Sequence, residues 1–149
     1  MIRTVVIVCV GNICRSPMGE GLLRARLPDV DVLSAGTAAR VGEPAQPSAV
    51  AVAANAGLDI SGHRARQLTD ALVRRADLVL VMDAMQKREI VARYPFSLGK
   101  VFRLGERDGF DVPDPYLKPV AVFRNTYALI EQGVNAWVPR IEALVNVVR

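Results

Sequence analysis

The residues with the most chemical potential sit close together near the start of the chain: Cys9-Val10-Gly11-Asn12-Ile13-Cys14-Arg15-Ser16-Pro17. A cysteine thiolate is a strong nucleophile, and cysteines at helix N-termini or beside cations ionise more readily than free ones. Arg15 can hold two oxygens of a phosphate bidentately and keeps its charge while they move. The residues between Cys9 and Arg15 can curl into a cup whose backbone N–H groups of Val10, Gly11, Asn12, Ile13 and Cys14 point inward at an anion. Gly11 lets the backbone turn and approach a ligand closely. Asn12 tolerates a left-handed conformation and can tie the loop with its amide. The Ser16 hydroxyl can donate to the Cys9 sulfur. Each residue alone also suits a plain structural role, but Cys-x5-Arg-Ser between an apolar strand and a proline-started helix points to phosphate chemistry.

Those residues need a scaffold that delivers a strand end and a helix start to one place. Thr4–Val10, Asp31–Ser34 and Leu78–Met82 read as buried strands, with Lys100–Leu104 as a shorter fourth. Their Val and Leu content suits parallel strands covered on both faces. Helical stretches alternate with them: Pro17–Leu27, Ser48–Ala56 with a serine cap, Thr69–Arg75, and Ala84–Tyr94 capped by Asp83. Val120, Phe123, Tyr127, Ile130, Val134, Trp137, Ile141 and Leu144 form the apolar stripe of a last helix, with a kink or break expected near Pro139. This alternation predicts an α/β fold with a parallel sheet and right-handed crossovers. Ligands of such sheets bind at the carboxyl ends of the strands, where Cys9 lies.

The remaining irregular piece, 105–118, holds Asp108, Asp111 and Asp114. A loop that long in a compact domain is often functional. The residues alone leave the three carboxylates as rivals for an acid–base role. His63, the one histidine, suits a structural role, and Arg64 and Arg66 read as surface charges or structural partners.

The 149 residues are 51% hydrophobic and 23% charged, which fits one domain over residues 1–149. That composition excludes a disordered tail, a collagen-like chain and a small disulfide scaffold. The net charge of +4 suits an anionic partner without selecting one. With 5% aromatic residues and no basic stretch interleaved with them, a stacking nucleic-acid platform is not expected. No apolar run reaches the ~18 residues of a membrane span. The first apolar run reads as a strand and not as an export signal, so a reducing, cytoplasmic compartment is expected, where cysteines do chemistry or bind metal. Two cysteines and one histidine are too few for a zinc site without carboxylates.

The segment Val8–Pro17 resembles the signature of the low-molecular-weight protein tyrosine phosphatases. Ser34-Ala35-Gly36, His63-Arg64-Ala65-Arg66-Gln67, Val81-Met82-Asp83 and Asp114-Pro115-Tyr116 fall where that family has matching segments. The resemblance implies a four-stranded parallel sheet in order 2-1-3-4 with helices on both faces and the phosphate-binding loop after strand 1. It implies Cys9 as nucleophile, Arg15 as phosphate clamp and Asp114 as general acid on a mobile loop. Asn12, Ser16, Ser34 and His63 would form the hydrogen-bond network behind the loop, and Tyr116 would line the aromatic slot. Cys14 is either a small apolar loop residue or a resolving thiol for Cys9. No metal or organic cofactor is implied.

Residues 37–47, near the substrate entrance, carry no aromatic residue, and one tyrosine follows Asp114-Pro115. Both features resemble the bacterial branch tied to extracellular polysaccharide export, whose partner is an autophosphorylating tyrosine kinase. The rivals are an arsenate reductase of the same fold and a non-catalytic phosphoprotein-binding module. The thioredoxin-coupled reductase needs two further cysteines downstream, and none follows Cys14. A binding module has no use for Cys9 or Asp114.

Overall fold

The computed structural model describes residues 1–145. Four parallel strands form one sheet in the order β2-β1-β3-β4: β1 (Thr4–Cys9), β2 (Asp31–Gly36), β3 (Leu78–Val81) and β4 (Val101–Arg103). Among the described residues the α-helices are α1 (Arg15–Arg26), α2 (Pro47–Asn55), α3 (Asp70–Arg75), α4 (Ala84–Arg93) and α5 (Val120–Val145). The expected α/β fold and strand order both hold.

The two faces of β1 explain the layers. Val5, Ile7 and Cys9 pack with Leu22 and Leu23 of α1, Val52 of α2, and Phe123, Ile130 and Trp137 of α5. Val6 and Val8 point the other way, onto Val73 of α3 and Ile90 of α4. A period of two along the strand therefore sends Cys9 to the side of α1. That helix comes very close: a Cβ on Gly19 would lie 2.3 Å from Ile7 Cδ1. Register pairs Cys9 with Gly36, so β2 ends level with the phosphate loop.

Several expected boundaries shift. The first helix begins at Arg15, two residues before Pro17, which places Arg15 and Ser16 inside its first turn. β2 continues past Ser34 to Gly36 because those residues still pair with Val8 and Cys9. α2 takes Pro47 in its first turn and is not capped by Ser48, since proline needs no partner for a missing N–H. The caps of α3 and α4 are side chains: Thr69 accepts from the Leu72 N–H and Asp83 from the Gln86 N–H.

The last helix is not broken at Pro139; it is continuous from Val120 to Val145. Proline removes one backbone bond, but Trp137 and Ile141 on either side are buried. The Trp137 indole also donates to the carbonyls of Leu104 at 3.0 Å and Arg103 at 3.2 Å, anchoring the helix to the end of β4. The apolar stripe stops short of its expected ends, for Val120 and Leu144 are exposed.

Candidate active site

The phosphate loop runs from Cys9 to the start of α1. Its carbonyls are tied outward. The oxygens of Cys9, Val10, Gly11 and Ile13 accept from the N–H groups of Thr37, Ala38, Arg40 and Gln46 at 2.8–3.1 Å. The Asn12 oxygen accepts from His63 Nε2 at 2.6 Å. In a planar trans peptide the next N–H points opposite to the carbonyl. Five outward carbonyls therefore turn the N–H groups of Val10, Gly11, Asn12, Ile13 and Cys14 to the inside of the loop. Gly36 makes room for this turn, because a Cβ there would sit 2.3 Å from the Val10 oxygen.

Asn12 holds the loop from behind. Its φ of 59° is left-handed, a conformation that asparagine tolerates better than most residues. The side-chain oxygen accepts from the Arg66 N–H at 2.8 Å, which fixes the amide orientation. The Nδ2 group then donates to Ser16 Oγ at 2.7 Å and Ser34 Oγ at 3.0 Å. Ser34 passes its hydrogen to Glu20 Oε1. Ser16, already an acceptor from Asn12, is free to donate to Cys9 Sγ, 2.9 Å away. The directions are set by an amide hydrogen at one end and a carboxylate at the other. The result is a hydroxyl hydrogen aimed at the Cys9 sulfur. His63 must carry its hydrogen on Nε2, since the Asn12 carbonyl can only accept.

Cys9, Arg15 and Asp114 border one narrow cavity of about 240 Å³. Its floor is Cys9 and the loop, and its walls include Ala38, Arg40, Asp114 and Tyr116. Arg15 is buried and gives Nη1 to the Val112 oxygen at 2.9 Å. Its Nη2 lies 3.8 Å from Asp114 Oδ2, while the buried Nε has no protein partner. A buried guanidinium with an unsatisfied N–H has bonding capacity to spare for an anionic ligand. Asp114 is half exposed, and its Oδ1 accepts from the Tyr116 N–H at 3.0 Å. The rival carboxylates are spent elsewhere. Asp111 takes Arg103 at 3.0 Å and the Ala84 N–H at 3.3 Å, and Asp108 takes Gln132 at 3.0 Å. Neither borders the cavity. A larger and more open groove of about 720 Å³ lies behind the loop, against Glu20, Ser34 and His63, but Cys9 does not border it.

The two cysteines are both free thiols and both buried. Burial pushes the Cys14 thiol up to about 12, and the neighbouring Cys9 and Asp114 push the same way against the opposing pull of Arg15. Cys14 is therefore a neutral thiol at ordinary pH.

Every residue expected at the site lies in the loop, its backing or its wall. Glu20 and Arg40 escaped the sequence reading, and Gln67 entered it only within a matching segment, without a role. Glu20 sits one helical turn after Ser16, so that spacing was a readable signal. Gln67 clamps the neighbouring segment through the Ala39 N–H at 2.9 Å and the Thr37 oxygen at 2.8 Å. Nothing in the sequence marks Arg40, which reaches the site across a tertiary contact.

The model of the family described as low molecular weight phosphotyrosine protein phosphatase matches residues 4–147. EpsP of Ralstonia solanacearum is 60% identical over 144 residues, covering 97% of this chain and 99% of the relative. The chain belongs to the low molecular weight phosphotyrosine protein phosphatases. Solved structures agree with this protein-tyrosine phosphatase at the level of the whole fold. The tyrosine phosphatase Wzb from Escherichia coli K30, in complex with sulphate, superposes with a TM-score of 0.91 at 39% identity, over 95% of this chain and 99% of that one. Vibrio vulnificus Wzb, in complex with benzylphosphonate, gives 0.90 at 37% identity, over 94% and 99%. Among the described residues of the phosphatase, no helix is long and apolar enough to cross a membrane.

Proposed function

We propose that this phosphatase works through a cysteinyl-phosphate formed on Cys9. The observation that carries the reading is the convergence of the Cys9 sulfur, the inward amides, the Arg15 guanidinium and the Asp114 carboxyl on one cavity. In the first step the Cys9 thiolate attacks phosphorus in line with the phenolic oxygen. The inward N–H groups and Arg15 hold the three equatorial oxygens, whose charge is stabilised by donors already in place. The P–O bond breaks, and Asp114 protonates the departing tyrosine oxygen. In the second step Asp114 takes a proton from water, the water oxygen attacks phosphorus, and the S–P bond breaks. The Ser16 hydroxyl, aimed at Cys9, stabilises the leaving sulfur.

The substrate class follows from shape and kinship. A narrow cavity with its sulfur at the bottom admits phosphotyrosine and leaves the shorter phosphoserine out of reach. One related structure holds benzylphosphonate, an aromatic ring on a phosphorus oxyanion. Kinship with EpsP supports a role in exopolysaccharide production, with an autophosphorylated bacterial tyrosine kinase as the protein substrate.

The test is an acid quench during turnover of a tyrosine phosphopeptide, followed by peptide mass analysis. One phosphoryl group on the Cys9 peptide is expected, with no label and no turnover in Cys9→Ser. Turnover by Cys9→Ser above the uncatalysed background would overturn the covalent mechanism. Loss of phosphate from the purified kinase of the same organism, but not from a serine phosphopeptide, is the expected substrate pattern.

A further inference from the structure

Among the described residues that line the cavity, two are cationic, Arg15 and Arg40. Arg15 lies at the floor and has its task there. Arg40 has none in the chemistry, yet it is placed with care. Its N–H donates to the Gly11 oxygen at 3.0 Å, and its aliphatic stem lies over Gly11, whose added Cβ would meet Arg40 Cγ and Cδ at 3.8 and 3.9 Å. From there the guanidinium spans to the opposite wall. Nη1 donates to the Tyr116 hydroxyl at 2.8 Å, and the guanidinium carbon lies 5.7 Å from the Tyr116 ring centre. Nε is held by Glu43 at 2.8 Å. Nη2 has no partner among the described residues, and the side chain is 48% exposed. Half of Arg40 therefore belongs to the wall and half faces whatever chain carries the phosphotyrosine.

We infer that Arg40 is a specificity-determining residue that reads an acidic side chain next to the phosphotyrosine of the substrate. The inference rests on the proposed seating of the phosphotyrosine over Cys9. With phosphate on the floor and the ring between the walls, the flanking residues of the peptide must pass the rim where the free edge of Arg40 lies. A guanidinium edge matches a carboxylate in geometry as well as in charge. Glu43 holds Arg40 in this position without occupying that edge. An acidic flank meets attraction at Arg40 and a basic flank meets repulsion.

The test uses three tyrosine phosphopeptides that differ only beside the phosphotyrosine, with Asp, Ala or Lys. kcat/KM is measured for the wild type, Arg40→Gln and Arg40→Glu at low and high salt. A half-exposed ion pair predicts about a threefold to fivefold preference of the wild type for the Asp peptide over the Ala peptide. The preference should shrink with salt. Arg40→Gln, which keeps a polar side chain and drops the charge, should erase it. Arg40→Glu should reverse it toward Lys. A loss of wall structure would lower all three rates together, so reversal is a signature that damage does not mimic. Equal wild-type rates on the three peptides, or a preference that survives in Arg40→Gln, would overturn the inference. Failure of the wild type on every peptide would overturn the proposed phosphotyrosine seating and the inference with it.

Discussion

The phosphate loop and the segment that carries Asp114 face each other across the same cavity, yet they are built in opposite ways. Residues 9–16 are mostly buried, with Val10 exposed, and their outward carbonyls and the Asn12 and Ser16 side chains are hydrogen-bonded to β1, β2, α1 or the segments 37–46 and 63–66. Segment 105–118 is mostly irregular and largely exposed, and Asp114 is held through one backbone N–H and a long contact to Arg15. The difference matches the demands of the two halves of the proposed reaction. Donors that stabilise charge on phosphorus act best when already in place, because reorganising them during reaction would cost the stabilisation they offer. An acid that must follow a leaving group, then wait for water, is better carried on a segment with few constraints. Arg15 joins the two halves through Val112, so the rigid side sets the position of the looser one.

The sharpest way to break this contrast is at the acid. Asp114→Asn should cut phosphotyrosine turnover by roughly 10²–10⁴-fold. The loss should shrink for aryl phosphates whose phenols leave without a proton. Asp108→Asn and Asp111→Asn should leave the dependence on leaving group unchanged, since Gln132 and Arg103 hold those carboxylates away from the cavity. A plot of turnover against leaving-group acidity for all three variants decides the assignment. A steep slope in Asp108→Asn or Asp111→Asn, and none in Asp114→Asn, would assign the wrong carboxylate.

A smaller effect is expected behind the loop. Asn12→Ala strips the amide from Ser16, Ser34 and the Arg66 N–H at once, and leaves alanine in a left-handed conformation. Stability should fall by about 1–3 kcal/mol per buried group left unpaired. Turnover should fall roughly 10–100-fold as the loop loosens. Thermal unfolding and steady-state rates report the two effects separately. A mutant that melts early but turns over normally would show that the loop does not need its backing to work.

The smallest effect concerns Cys14. Its raised value near 12 means that thiolate is scarce at neutral pH and grows as the medium becomes alkaline. Peroxide should oxidise Cys9 first, and Cys14 should then trap the sulfenic acid as a disulfide that a thiol restores. Trapping should quicken with rising pH, because exchange follows the thiolate fraction. Recovery after oxidation should be poorer in Cys14→Ser, and equal recovery would make Cys14 purely structural. The same raised value acts on folding. The unfolded thiol ionises from its ordinary value of 9.0 and the folded one only near 12, so the neutral form is the one that folding favours. That contribution is present below pH 9 and is lost as the pH climbs toward 12. Cys14→Ser should flatten that alkaline fall in stability, as read by denaturant titration across the range.

How far the sequence could be read depended on how local each feature was. Cys9, Arg15 and Ser16 lie within eight residues, and a strand running into a helix carries them, so pattern alone was sufficient to bring them to one loop and to suggest the chemistry proposed for it. The strand order needed the family resemblance, because alternating strands and helices fit more than one order. On the residues alone Asp114 stood level with Asp108 and Asp111; the family resemblance singled it out, and in the structure the other two are held by Gln132 and Arg103. Pro139 read as a kink or a break because proline removes a backbone bond. It did not break the helix, since Trp137 anchors that helix to β4 by contacts that no local rule contains.

The alternating layers and the chemistry proposed for the phosphate loop were legible in the sequence by itself, because both follow from short-range facts: residue type, spacing and the periods of strand and helix. The tertiary structure alone decided that Asp108 and Asp111 are tied to Gln132 and Arg103, that Glu20 terminates the chain of hydrogen bonds behind Cys9, and that Arg40 reaches across the cavity to Tyr116. Those pairs are brought together by the crossing of the chain at the carboxyl end of the sheet. A contact between Arg40 and Tyr116 spans seventy-six positions of sequence, and only the packing of the intervening elements can bring its two ends within a hydrogen bond.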